Sequence, residues 1–274
     1  MVKSPYPESS WVQLNVTPRQ STWVDVYGRL ADLAHELLAA RAGAFFFMHK
    51  PPGLRVRFQA AEAADAAGLR AELLKRTEAF EEWAAPPVAV VYEPESYLFG
   101  GEAAMPWVHE LFTADSLAWL DLHTGRGGEP APAPWRVSLL LVRELLAGLD
   151  VVGWEHRGVW AAVRSETGRA LPGGWADGDG RRAAEGIRQW WARPREEALA
   201  ALPGQWPAVL AEHRAAVARA AEGWHRGYFT AGEAVRGPRR AAAYAVIFHW
   251  NRGRIPTARQ CLLTEALADD GVVA

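Results

Sequence analysis

The stretch AFFFMHKPPGLRVRF, from Ala44 to Phe58, leaves the chain little conformational choice. A compact apolar run meets the turn Lys50-Pro51-Pro52-Gly53, and beyond it Leu54, Val56 and Phe58 alternate with Arg55 and Arg57. An apolar run, a Pro-Gly turn and strict period-two alternation together read as a β-hairpin. Upstream, STWVDVYG (Ser21 to Gly28) alternates like a strand, and Leu30, Leu33, Ala34, Leu37 and Leu38 then fall at the i, i+3, i+4, i+7, i+8 spacing of an amphipathic helix. Downstream, an Ala-, Leu- and Glu-rich helix is expected from Ala61 to Trp83 and a strand over PVAVVYE, Pro87 to Glu93. The order βαββαβ predicts a ferredoxin-like sheet with two helices on one face.

Beyond Glu95 the pattern turns helical. A Gly100-Gly101 break precedes a segment with Met105, Val108, Leu111 and Phe112 at helical spacing, and Thr124 to Pro134 reads as a Gly/Pro loop. Helices are expected over Trp135 to Leu149, Arg181 to Ala192, Arg195 to Gly223, Arg239 to Trp250 and Thr257 to Ala268. GRALPGGWADGDG, Gly168 to Gly180, reads as an irregular, lid-like loop. The expected fold class is α+β: a ferredoxin-like half over 21–123 packed with a mainly helical half over 124–274, in one domain.

Composition removes several function classes. With 30 Lys+Arg against 32 Asp+Glu the net charge is -2, too little to collect nucleic acid by charge alone. The single cysteine, Cys261, excludes a disulfide framework and a Cys-based metal site. The N-terminus lacks an apolar signal core and no apolar run approaches the roughly 20 residues that span a bilayer, so a cytoplasmic protein without a membrane partner is expected. There is no P-loop, GxGxxG, GxSxG or HExxH, and the eight His form no short-spaced ligand pair, so neither cofactor nor metal is expected. The 14 Trp point to a large core and to an apolar groove.

Three constellations remain as candidate chemistry. Arg55 and Arg57 project from the strand face opposite Leu54, Val56 and Phe58, as two forks for a carboxylate or peptide backbone or as solvated surface arginines. In YEPESYLFGG, Tyr92, Glu95 and Tyr97 follow a strand and precede a double glycine; a strand end can hold acid–base groups rigidly, and a capped turn explains the same residues. In AVIFHWNRGRIP, His249, Asn251 and Arg252 end an apolar run before a glycine, either as a reactive cluster or as a core histidine beside a helix end.

These residues carry a resemblance. VYEPESYLFGGEAAMPWVHELFTADSLAWL, preceded by FFFMHKPPGLRVRF and followed at the C-terminal end by FHWNRGRIPTARQCLL, resembles the thiopeptide-type bacteriocin biosynthesis family, the glutamate-eliminating C-terminal domain of lantibiotic dehydratases and its stand-alone relatives. The likeness covers Ser21 to Ala118 and the last thirty residues, and omits about Gly125 to Gly232. It implies one of two chemistries: loss of glutamate from glutamylated Ser or Thr, or formal aza-[4+2] joining of two dehydroalanines into a pyridine. The eliminating pattern, RYxDPxPHLRLRF and YExExxRYGG, is matched at Arg55, Arg57, Glu95 and, near the C-terminus, His249. It is departed from at Phe46-Phe47, His49-Lys50, Gly53 and Leu98, the last standing where that pattern has an arginine.

The resemblance with this loss of a cation implies a thiopeptide pyridine synthase, with the glutamate-eliminating half of a split dehydratase as the alternative and a non-catalytic leader-binding scaffold as a third reading. It implies acid–base roles for His249, Glu95 and Tyr92, and substrate binding by Arg55, Arg57, Tyr97, Leu98, Tyr244, Asn251 and Arg252. The implied partner is a ribosomal precursor peptide with a leader and an azole- and dehydroalanine-containing core, held by stacking on Trp.

Overall fold

The computed structural model describes residues 10–171, 178–232 and 234–268. It divides into two compact units, one reaching to Pro94 and including Trp119–Thr124, the other comprising Glu95–Ala118 and the chain from Gly125 onward.

The first unit contains β1 (Trp11–Pro18), α1 (Trp23–Ala40), β2 (Ala42–Lys50), β3 (Gly53–Ala60), α2 (Ala66–Glu78) and β4 (Trp83–Val90). The strands form one antiparallel sheet in the order β2-β3-β1-β4, the ferredoxin-like arrangement that the βαββαβ order predicts. The first strand, however, lies upstream of the segment expected. In WVQLNVTP, Val12, Leu14 and Val16 are buried and register with Phe58, Val56 and Leu54. Ser21 to Gly28 instead enters α1, because Val26, Tyr27, Leu30, Leu33, Ala34 and Leu37 form one buried stripe. The short alternation in WVDV satisfies both periods, and the longer stripe decides.

The second helix is shorter than expected. It ends at Glu78, where the Thr77 hydroxyl donates to the Leu73 carbonyl at 2.7 Å and the Trp83 indole donates to the Thr77 carbonyl at 2.9 Å. Trp83 therefore opens β4, an edge strand, which is where Pro86 and Pro87 can be tolerated. The hairpin turn falls where the Pro-Pro-Gly signal puts it: Lys50 registers with Gly53. A Cβ on Gly53 would sit 1.9 Å from the Val16 carbonyl oxygen of β1, so this position admits no side chain.

The second unit contains α3 (Ser96–Phe99), α5 (Pro134–Gly148), α6 (His156–Thr167), α7 (Gly178–Ala192), α8 (Arg195–Ala200), α9 (Trp206–Trp224), α10 (Pro238–Arg252) and α11 (Thr257–Ala268), while α4 (Met105–Thr124) gives its first part to this unit and its last residues to the other. The helix expected from Arg195 to Gly223 is two helices, parted by Pro203 and by Gly204 at φ +56°. Helix α6 is not among the elements that the sequence predicts. Of the lid-like segment, 172–177 lie outside the described residues and Gly178 onward is helical. Trp119, Trp160, Trp206, Trp224 and Trp250 are fully buried, so much of the tryptophan builds core. No helix among the described residues is long and apolar enough to cross a membrane.

Two glycines separate steric from entropic roles. Gly53→Ala drives a methyl into the β1 backbone and should cost about 1–3 kcal/mol or more, whereas Gly28→Ala, in open space within α1, should stabilise by about 0.5–1 kcal/mol. Urea midpoints of the two variants should move in opposite directions.

Candidate functional site

On the sheet of the first unit, Gln13 and Asn15 of β1 register with Arg57 and Arg55 of β3, and Phe46 and Met48 of β2 with the same arginines. These side chains share the face opposite Leu54, Val56 and Phe58, as the alternation requires. The Arg57 side chain is only 3% exposed and is held on all sides. Its Nε donates to Gln13 Oε1 at 2.6 Å, and its guanidinium lies 4.9 Å from the Phe46 ring and 4.8 Å from the Tyr92 ring. Trp11 closes the box edge-on, 5.5 Å from Phe46 and 5.1 Å from Tyr92. Arg57 is thus a clamped cation inside an aromatic cage, and Tyr92 is one of its walls. Arg55 is half-buried on the same face.

In the second unit, His249 and Arg252 lie one turn apart on α10 and both grip Asp115 of α4. His249 Nδ1 is 2.6 Å from Asp115 Oδ1, and Arg252 Nε donates to Asp115 Oδ2 at 2.6 Å. The other imidazole nitrogen, Nε2, is 2.9 Å from Ser138 Oγ of α5, which also accepts from Trp250 Nε1 at 3.0 Å. Nδ1–H donates to Asp115 in either protonation state of the ring; Nε2 accepts from the Ser138 hydroxyl when neutral and donates to it as imidazolium. The Arg252 guanidinium lies 4.4 Å from the Phe112 ring. Burial pushes the Asp115 carboxyl up, but the positive charges and hydrogen bonds of His249 and Arg252 outweigh it and hold the group below the usual carboxylate value. Burial pulls the Arg252 guanidinium down against the opposing pull of Asp115.

Ser138, His249 and Asp115 stand in the order of an acyl-transfer triad, yet Ser138 has 0% exposure and the adjoining cavity is about 10 Å³, room for one water. A substrate carbonyl has no path to that hydroxyl. The cluster is a buried polar clamp that joins α4, α5 and α10.

The other candidate residues surround α3. Glu95 precedes it, half-buried, with its carbonyl accepting from the Leu98 N–H at 3.0 Å. Leu98 is half-buried, whereas Tyr97 is 71% exposed and offers its carbonyl to Arg236 at 3.3 Å. Arg236 also lies 5.4 Å from the Tyr244 ring, which brings Tyr97 and Tyr244 to one guanidinium. A hydrogen bond to Glu166, reinforced by burial, raises the Tyr244 hydroxyl above its usual value. After α3 the chain turns through Gly100 and Gly101 at φ +103° and +104°, and a Cβ on Gly100 would sit 2.0 Å from the Tyr228 hydroxyl. Asn251 is half-buried on α10.

Sequence reasoning missed Asp115, Ser138, Gln13 and Trp11. A signal for Asp115 existed: it follows Leu111 and Phe112 at the helical spacing that marks the buried stripe of α4, where a carboxylate requires a buried cation. Among the described residues no cluster of three His, Cys, Asp or Glu could hold a metal ion.

Removing the carboxylate charge should therefore strand Arg252. Asp115→Asn should cost about 3–5 kcal/mol by denaturant unfolding at pH 7. Because Asp115 is depressed when folded, its stabilisation is complete above the unfolded value near 3.9 and is lost as pH falls through the lower folded value. The gap between wild type and variant should narrow as pH falls below about 4.

A sequence profile for the C-terminal region of lantibiotic biosynthesis dehydratases matches residues 11–269. The fold is similar to that of the tRNA-dependent lantibiotic dehydratase MibB from Microbispora sp. 107891, with TM-score 0.59 and 18% identity over 98% of this chain; the chain spans 28% of the length of MibB. It is also similar to TsrL, with TM-score 0.52 and 13% identity over 94% of this chain and 93% of TsrL. The pyridine synthase TbtD from thiomuracin biosynthesis gives TM-score 0.46 and 16% identity over 95% of this chain and 98% of TbtD. No curated protein matches the chain in sequence.

Proposed function

The chain belongs to the lantibiotic biosynthesis dehydratase C-terminal family, and from that premise we propose that it is an enzyme of the pyridine-synthase branch, acting on a ribosomal precursor peptide. Two dehydroalanines of that peptide are joined in a formal aza-[4+2] cycloaddition, with water and then the leader peptide lost as the ring becomes aromatic. The sequence of steps is redox-neutral and is limited by geometry: two alkenes and one amide drawn toward its iminol must meet. Holding them in near-attack positions can supply roughly 7–11 kcal/mol of the barrier.

The observation that carries this reading is the loss of free cationic grip. Elimination of glutamate calls for guanidiniums facing a glutamyl carboxylate. Here the position corresponding to one of them is Leu98, half-buried beside Phe99, and Arg57 is clamped by Gln13, Phe46 and Tyr92. Of the arginines that the family resemblance assigns to that task, Arg55 is left. An apolar wall at Leu98 suits neutral alkenes, whereas a cation there would be unpaired at a cost of a few kcal/mol.

Within this scheme Glu95 and Tyr92 serve as proton-transfer groups, and Arg55 polarises a backbone carbonyl of the substrate. His249 and Arg252 contribute through Asp115, by fixing α10. Tyr97, Tyr244 and Asn251 line the peptide path.

Mass spectrometry separates the two family chemistries. The purified chain should leave a glutamylated Ser peptide unchanged and convert a leader-bearing peptide with two dehydroalanines into a pyridine-containing ring with release of the leader. Leu98→Arg should slow that conversion by tenfold or more, since about 1.4 kcal/mol on the barrier is a factor of ten. Robust glutamate loss from the first substrate would move the chain to the eliminating branch.

A further inference from the structure

In the second unit, α5 and α7 present a surface of stacked guanidiniums and indoles. The Arg136 guanidinium lies 5.3 Å from the Trp135 ring and 4.9 Å from the Trp190 ring, and Arg193 lies 5.4 Å from Trp190. Arg143 lies 5.8 Å from Trp191 and donates to the Arg193 carbonyl at 2.8 Å, which ties the group together. Next to it, Arg195 and Arg214 share Glu144, and Arg214 also reaches Glu196. Five guanidiniums against two carboxylates leave an excess of three positive charges, in a chain whose net charge is -2. Among the described residues, Arg136, Arg143 and Arg193 have no carboxylate partner. The excess is felt locally: burial and then the charge of Arg195 draw the Arg143 guanidinium below its ordinary value, against the pull of Glu144.

Three cations kept beside one another, with no counter-charge among the described residues, favour a ligand that brings it. Stacking on indoles pre-orders the guanidiniums and leaves the in-plane N–H edges of the exposed Arg136 and Arg193, together with the part of Arg143 not given to the Arg193 carbonyl, for carboxylate oxygens. The indoles themselves are already occupied. Trp190 is buried and meets Trp135 edge-on at 6.1 Å, and Trp191 is flanked by His156 at 5.2 Å and Trp160 at 5.8 Å. A nucleobase would find no ring to stack on, and the chain as a whole carries no positive field to attract a phosphate backbone. A run of Asp or Glu side chains needs only the donors.

We propose that the surface formed by Arg136, Arg143 and Arg193 on α5 and at the end of α7 docks an acidic segment of the peptide on which the chain acts. The inference takes from the reading above only that the substrate is a peptide, and it holds for either reaction of the family.

The test uses the full chain and a fluorescein-labelled peptide of ten glutamates, followed by polarisation. Wild type should bind, more weakly as salt is raised. The triple variant Arg136→Gln, Arg143→Gln, Arg193→Gln should bind roughly tenfold or more weakly. Arg226→Gln, whose guanidinium already faces Glu222, should bind as wild type does. Should the triple variant lose its circular dichroism, the single exposed change Arg193→Gln takes its place, with a several-fold loss expected. Absence of binding by wild type, or equal binding by wild type and folded variants, overturns the proposal. Tighter binding of a ten-nucleotide uridine RNA, lost in the same variants, overturns it in favour of nucleic acid. Because polarisation reads docking without turnover, a chain that proves to eliminate glutamate leaves the result standing, and a chain that cyclises but does not bind the peptide refutes this surface alone.

Discussion

A carboxylate taken out of water must be matched, and Asp115 is matched twice from the same helix. His249 and Arg252 are three residues apart, so both reach one side chain only when α10 presents a single face to α4. That fixes the rotation of α10 and with it Phe248, which stacks on Phe112 at 5.1 Å and meets Phe99 at 5.5 Å. Phe99 anchors the short helix α3, on which Leu98 sits and from which Glu95 leads. One buried charge thus sets the position of α3 and the residues that flank it. Such an ion pair need not add net stability over an apolar core, but removing one partner leaves the other stranded.

The sheet solves a similar problem with different means. Arg57 sits among Trp11, Phe46 and Tyr92, and Gln13 supplies the one neutral acceptor needed at Nε. Aromatic faces stabilise a guanidinium, so the cage holds the Arg57 cation buried on the sheet. The Phe46 that forms part of this cage stands where the eliminating pattern has an arginine. A second guanidinium there would face Arg57, and the aromatic ring removes that repulsion.

Legibility follows the length of each pattern. The hairpin from Ala44 to Phe58, the helix after Leu30 and the α10 and α11 segments announce themselves through runs long enough for the period to be unambiguous. The first strand is harder to place, because WVDV fits both periods over four residues and competes with WVQLNV, whose cleaner alternation stands near the start of the chain. Of the candidate site residues, Arg57 and Tyr92 meet in one cage, and His249 and Arg252 meet on one carboxylate. Their partners Gln13, Asp115 and Ser138 lie 44, 134 and 111 residues away in sequence, and such pairings leave no local trace. An acidic residue at an apolar helical position is the one clue that the chain itself offers.

The burial of these groups bears on mechanism. Arg57 and Arg252 are each stacked on a ring and hydrogen-bonded within the fold, and both ring nitrogens of His249 are engaged. An enzyme that must seize a glutamate side chain cannot spend its cations internally, since each guanidinium so held would have to leave an acceptor or an aromatic face to reach the substrate. A reaction between neutral alkenes makes no such demand: its barrier falls when reacting carbons are held together and water is kept out. Charges locked in the interior in this way stiffen the fold instead: Arg57 ties β3 to β1 through Gln13, and His249 and Arg252 tie α10 to α4.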